Sequence, residues 1–298
     1  MSKQLKADFM LSIVVLSWGF SFLLTDISTQ SLAPFNLNAV RFLVAFFVAI
    51  IFTFPKLRNI SKETLKWSVL LGCILAVMYA CMNIGVKNTT LSNSGFLCQL
   101  TVIVTPILSG IVNKKSPDKK VFFVAIMSLI GIALLTLNDG FTLNRENLKG
   151  DIFCLICGIV YAVHLVTTEK ALSHENTNAF QIGVLQLGTT GVISLFFSLI
   201  TENPHLPYTP KVWISTLFLA IFCTGLAFLI QTLAQQYTSA SHVGVIFSLE
   251  PVIAGFVAYY FAGDILTVRA YFGAFLMALS IFIMEIDFSF LRRKISNG

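Results

Sequence analysis

Charge is what this sequence has least of. Asp, Glu, Lys and Arg make up 11% of its residues, where a soluble globular domain carries about 25%. That shortage excludes an ordinary water-soluble globule. The chain also lacks a Gly-rich nucleotide loop of the GxxxxGK[ST] type, so direct use of ATP is not expected. His-Glu-x-x-His and activated-serine motifs are absent as well, and so are clustered acids for a metal, which argues against an intramembrane enzyme. Histidine is scarce, with four in all, and the six cysteines at 73, 81, 98, 154, 157 and 223 lie inside apolar runs. Cys154 and Cys157 form one CxxC, but a zinc site would need a second pair or nearby histidines. They are read as buried hydrophobes, and neither a metal nor a cofactor is expected. The net charge of +6 comes without a basic stripe interleaved with aromatics, so nucleic acid is not an expected partner. No small-residue cleavage site follows the first apolar run, which reads as a retained helix.

What the chain does have is apolar bulk: 56% hydrophobic residues, 28 of the 298 being Phe, and a mean hydropathy of +0.83. A helix needs about 20 mostly apolar residues to cross a bilayer. Ten segments meet that test: 8–25, 34–54, 67–86, 90–112, 121–137, 151–168, 180–200, 212–232, 241–261 and 269–286. The fold class expected is an all-α integral membrane protein of ten transmembrane helices, with no room for a soluble domain and therefore none for a typical receptor. The joints at Lys87–Thr90 and Gln235–Ser239 are barely more than turns.

Lys and Arg orient the spans. One set of loops holds fourteen: Lys3, Lys6, Lys56, Arg58, Lys62, Lys66, Lys114, Lys115, Lys119, Lys120, Lys170, Arg292, Arg293 and Lys294. The other holds five: Lys87, Arg145, Lys149, Lys211 and Arg269. Positive charge stays inside, so both termini are expected in the cytoplasm, in agreement with an even number of spans.

The halves resemble each other. Trp18-Gly-Phe-Ser21 aligns with Tyr161-Ala-Val-His164 at an offset of 143, and Pro106 with Pro251 at 145. The expected units are residues 1–138 and 150–286, followed by a basic cytoplasmic tail, 287–298. Five spans per unit is an odd number, so the second unit inserts upside down. Inverted repeats mark secondary transporters, with the site near mid-membrane between the repeats.

Buried polar groups in a span are the default site candidates, since a charge at the helix centre costs about 2.5–3.5 kcal/mol on insertion scales. Glu250, followed by Pro251, sits about ten residues into the ninth span. It suits a substrate amine or a proton, or a structural ion pair. Arg41 could attract a carboxylate or pair with Glu250, but extending to the outer interface is the reading favoured by its position. Tyr161 and His164 share a face of the sixth span, and the repeat sets Trp18 and Ser21 opposite them. Together they form an aromatic wall with polar anchors, in which His164 could titrate or simply bond a neighbouring helix. Tyr79, Asn83 and Gln99 complete the candidate substrate-binding set. Gln186 and Gln231 are weaker candidates, His242 is expected to be solvated, and the Phe-rich stretches are read as lipid-facing bulk.

These motifs resemble the drug/metabolite transporter superfamily, in its ten-span EamA-type branch, over roughly 8–286. Trp18-Gly19 with Ser21, Pro34 with Arg41, Thr89-Thr-Leu-Ser-Asn-Ser-Gly-Phe-Leu through Pro106, Gly150-Asp151, and Tyr237-Thr-Ser-Ala-Ser through Ser248-Leu-Glu-Pro251 carry the resemblance. Gly263-Asp264 stands where the family usually has Gly-Glu, and Asn113-Lys114-Lys115 lacks the corresponding acid. The resemblance implies an exporter or exchanger of small organic solutes (amino acids, related metabolites or drugs) in a bacterial cytoplasmic membrane. It implies no enzyme. Membrane lipid and a small-molecule substrate are the expected partners, and proton coupling is left open. A passive channel is the alternative, although its polar residues should repeat around a pore and these are scattered.

Overall fold

The computed structural model describes residues 3–89, 91–114, 119–136, 146–262 and 267–285. Gly263-Asp264, Lys115, Arg145 and the basic tail 287–298 lie outside them. The described chain is helical, and no strand occurs among the described residues.

Helix α1 spans Lys3–Thr29, α2 Pro34–Thr53, α3 Lys62–Lys87, α4 Leu91–Cys98, α5 Thr101–Val112 and α6 Lys119–Thr136. In the second half α7 spans Leu148–Leu172, α8 Ala179–Thr201, α9 Pro210–Phe218, α10 Ala227–Ala234, α11 Ala240–Phe247, α12 Glu250–Val257 and α13 Val268–Glu285. A π-helical segment, Leu219–Leu226, joins α9 to α10. Among the described residues eight stretches are long and apolar enough to cross a membrane, counting Ser94–Val112, Pro210–Ala234 and Ala240–Phe261 each as one. Helices α6 and α13, of 18 residues each, pack on one another through a bond of 2.6 Å between the Ser128 and Ser280 hydroxyls.

The starts are set by local chemistry. Pro34 and Pro210 occupy first-turn positions, where a missing N–H costs nothing and φ is already helical. Ser61, Asn178, Thr209 and Ser239 accept from the backbone N–H three residues on, satisfying amides that a helix leaves unpaired.

Ser94–Val112 and Ala240–Phe261, expected from the sequence as spans 4 and 9, are both broken. Around Gln99–Leu100 the backbone switches to i→i+3 bonds, Leu100 N to Leu97 O at 3.3 Å and Val102 N to Gln99 O at 3.1 Å. Around Ser248–Leu249 the same pattern recurs, Leu249 N to Ile246 O at 3.1 Å and Val252 N to Leu249 O at 3.0 Å. The second break directly precedes Pro251, but the first lies seven residues before Pro106, so proline is not its cause. The two spans cross where Gly244 faces Thr105 and Val102: a Cβ there would lie 3.5 Å from Thr105 Oγ1.

Close approach also explains the Trp-Gly pair of α1. A Cβ on Gly19 would fall 2.2 Å from Ile253 Cγ2, so only glycine lets α12 lie against α1. Outward-facing Ile51, Phe52, Phe123, Phe196, Leu199, Ile200 and Phe275 are exposed, as a lipid-facing surface requires. The expectation that phenylalanine is lipid-facing bulk fails at Phe42, Phe228 and Phe247, which are fully buried in the centre.

Candidate functional site

The candidate residues converge on one aromatic cluster between the halves. Trp18 lies 6.1 Å from Tyr161, 5.6 Å from Phe228 and 4.8 Å from Phe247, ring centre to ring centre. Tyr161 stacks on His164 at 6.0 Å and runs parallel to Phe247 at 6.3 Å. Phe42 meets Tyr79 edge-on at 4.9 Å. Tilted and edge-on contacts are the favourable geometries for such rings. The cluster is drawn from α1, α2, α3, α7, α10 and α11, so neither half could form it alone.

The π segment supplies one wall. Its Cys223 carbonyl accepts from Trp18 Nε1 at 2.8 Å and from Arg41 Nη2 at 3.3 Å. Thr224 Oγ1 accepts from Arg41 Nε and donates to the Leu219 carbonyl five residues back. The guanidinium also lies over the Tyr79 ring, 5.1 Å from its centre. Arg41 is 3% exposed, so the expected reach to the outer interface is corrected: the side chain turns inward. A π segment departs from the regular i→i+4 ladder, and here the Cys223 carbonyl accepts from two side chains outside its own helix. The five donors of a guanidinium can take that carbonyl and the Thr224 hydroxyl together.

His164 is wholly buried, and its Nε2 lies 3.0 Å from Gln186 Oε1. The network sets the tautomer. The Thr232 hydroxyl donates to the Phe228 carbonyl, and Gln186 Nε2 donates to Thr232 Oγ1 at 3.1 Å. Gln186 therefore shows its oxygen to the imidazole, and Nε2 carries the proton. In the neutral ring Nδ1 is left as an acceptor, buried and without a protein partner. The Tyr161 hydroxyl donates to Gln231 Oε1 at 3.4 Å.

Glu250, partly buried, opens α12 just past the break in span 9, and its Oε2 accepts from Gln99 Nε2 at 3.1 Å. It makes no ion pair with Arg41, since the one salt bridge among the described residues is elsewhere. Its carboxylate is near enough to act electrostatically on Tyr79, Tyr161 and Arg41. Gln99 Oε1 is buried without a partner. Two acceptors thus stand together at the crossing of spans 4 and 9, with one donor between them.

Not every candidate belongs. Asn83 Nδ2 donates to the Pro34 carbonyl at 3.2 Å, tying α3 to the start of α2 at the end of the bundle. Ser21 is partly exposed, one turn beyond Trp18. His242 corrects a further expectation: it is 7% exposed, and its Nε2 pairs with Asp8 Oδ1 at 2.9 Å. Gln186, a weaker candidate in the sequence, bonds His164, and Thr224, Phe228 and Phe247, which the sequence does not single out, stand in the same cluster. A glutamine amid apolar residues was a usable signal, whereas the phenylalanines carried none. Among the described residues no group of His, Cys, Asp and Glu is arranged to hold a metal, and all six cysteines are free thiols.

Comparison with known proteins bears on this arrangement. The family model for EamA-like transporters matches twice, over residues 5–137 and 148–286. An uncharacterized transporter of Archaeoglobus fulgidus is 30% identical over 287 residues, covering 95% of this chain and 87% of the relative. The uncharacterized transporter YoaV of Bacillus subtilis is 23% identical over 289 residues, covering 95% and 97%. A solved crystal structure superposes with a TM-score of 0.81 at 17% identity, covering 97% of this chain and 98% of its own; it bears on the fold alone.

Proposed function

From the premise that the chain belongs to the EamA-like transporter family and is a multi-pass membrane transporter, we propose that it is a secondary transporter that exports or exchanges small organic solutes across a bacterial cytoplasmic membrane. In this reading α6 and α13 complete ten spans in two inverted repeats, both termini are cytoplasmic, and the repeats rock around the aromatic cluster to expose it to each side in turn.

The observation that carries the proposal is the set of unpartnered acceptors around that cluster. His164 Nδ1 and Gln99 Oε1 are buried without donors, and Glu250 offers a carboxylate beside Gln99. Leaving a buried acceptor unpaired costs about 1–3 kcal/mol, which a solute bearing an amine or hydroxyl would recover. The rings of Trp18, Tyr161, Phe228 and Phe247 give such a solute an apolar wall. Amino acids, their relatives and amine-bearing drugs fit that chemistry. A proton on Glu250 or His164 is a second donor of the same kind, which is how a pH gradient would drive the cycle.

The test is uptake into proteoliposomes from a panel of labelled amino acids and common metabolites, with and without an imposed pH gradient. Saturable uptake that is lost in His164→Leu, and that the gradient no longer stimulates in Glu250→Gln, supports the reading. Uptake that rises linearly with concentration would replace it with a passive channel.

A further inference from the structure

Asp8 and Asp151 are 143 residues apart, the separation that relates Trp18 to Tyr161, so they hold the same place in the two repeats. One lies near the start of α1, the other near the start of α7. Each bonds the other repeat. Asp8 Oδ1 accepts from His242 Nε2 at 2.9 Å and from Gln4 Nε2 at 2.8 Å, and Gln4 also donates to Thr238 Oγ1 at 3.0 Å. Thr238 belongs to the turn before α11 and His242 to α11 itself. Asp151 Oδ1 accepts from Thr89 Oγ1 at 2.6 Å, in the turn before α4. An aspartate at the head of the first helix of each repeat is thus fastened to the entry of the broken span of the other, Asp8 through His242 in the first turn of α11 and Asp151 through Thr89 in the turn before α4.

The two contacts lie at opposite ends of the bundle. Helix α1 runs from the Asp8 end towards Pro34, where α2 begins, and Asn83 near the end of α3 bonds the Pro34 carbonyl. Thr89 follows α3 directly, so the Asp151 contact sits at that far end. Both are tightly packed. Ala7, Leu11, Ala240 and Val243 are fully buried around the first. At the second, a Cβ on Gly150 would fall 2.4 Å from the Asn88 carbonyl, so the backbones touch.

We infer that Asp8 and Asp151 are a repeat-related pair of door clasps, one at each face of the membrane, each released when its own face opens. This rests on the alternating-access reading above. If the repeats rock about the central cluster, a bond between repeats at one face must part when that face opens, while the bond at the other face is kept. Both bonds are made here, so this structure is fastened at both ends. Inverted symmetry requires such a contact at each face to have a counterpart at the other, and the matched offset of the two aspartates supplies it. The clasps are not equal: Asp8 holds an imidazole, Asp151 a hydroxyl.

The test reads accessibility and needs no substrate. In a protein freed of its native cysteines, Ser21→Cys places a thiol one turn beyond Trp18. Sealed vesicles of known orientation are exposed to a membrane-impermeant maleimide from either side, and the ratio of labelling rates is measured. Asp8→Asn is expected to move the ratio towards the face where α1 begins, and Asp151→Asn towards the opposite face. Each shift should be about tenfold, the displacement of a two-state equilibrium produced by losing one bond to a charged group. Shifts in the same direction, or no shift in protein of unchanged melting temperature, would overturn the clasps. Should either variant fail to fold, the disulfide pair Asp8→Cys with His242→Cys serves instead. Its oxidation should abolish labelling from the α1-start face alone, and continued labelling from that face would sink the proposal. A thiol reached from neither face in any variant would sink the alternating-access reading as well.

Discussion

Gln99 and Glu250 join the two repeats by a single hydrogen bond of 3.1 Å, each standing at the break of its own span. Charged Glu250 accepts from the Gln99 amide; once protonated, it would donate to the same amide turned over, and Gln99 Oε1, now without a partner, would be satisfied. Glu250→Gln keeps the shape and removes the titration. It is expected to abolish stimulation of uptake by a pH gradient while leaving exchange of solute in place, measured in proteoliposomes with and without the gradient. Gradient stimulation that survives would assign the proton elsewhere.

Thr224→Val tests the inward-turned arginine. It removes the acceptor of Arg41 Nε from a buried site at nearly constant volume. The loss should be about 1–3 kcal/mol of stability, read as a lower thermal or denaturant midpoint in detergent. Arg41→Lys should lose at least as much, because an ammonium cannot reach Thr224, Tyr79 and the Cys223 carbonyl together. An unchanged midpoint in both variants would mean that the guanidinium is held by something else.

Gln186→Met should disturb binding by loosening His164. The imidazole would keep its place in the stack but lose the oxygen that fixes its proton on Nε2. Uptake is expected to weaken mainly through a raised half-saturation concentration, by about tenfold or less if one neutral hydrogen bond is at stake. A change in maximal rate with unchanged half-saturation would argue against a binding role.

Gly72→Ala should wedge α3 from α8. The added Cβ would meet Thr189 Cβ at 2.5 Å and the Gln186 carbonyl at 2.8 Å, and overpacking of this kind costs about 1–3 kcal/mol. The melting temperature should fall, and the carbonyl shift should reach Gln186 and hence His164. A variant as stable as the parent would show that the two helices part freely.

Much of the architecture was legible because a bilayer enforces it. A span must be apolar for about twenty residues, and Trp18, Tyr161, Glu250 and His164 stood out because polar or amphipathic groups are costly there. Where those side chains point was not legible. The position of Arg41 puts the lipid interface within its reach, yet the Cys223 carbonyl and the Thr224 hydroxyl of the π segment offer it nearer acceptors. The place of His242 at a span end points to solvent, and only the fold brings Asp8 beside it from 234 residues away. Phe228 and Phe247 share their composition with the exposed phenylalanines, so nothing in the string separates a buried central ring from an outer surface.

The π segment of Leu219–Leu226 also marks how far the two halves have drifted since duplication. A π turn lodges an extra residue in a helix, and α3, which holds the same place in the first half, is α-helical from Lys62 to Lys87. The offset between halves grows from 143 at Trp18 and Tyr161 to 145 at Pro106 and Pro251, and the π turn accounts for one of those two residues. Trp18 is anchored to a backbone carbonyl by this irregularity, while Tyr161 must rely on the side chain of Gln231. A chimaera built from two copies of the first half would therefore have no ledge for Trp18 or Arg41.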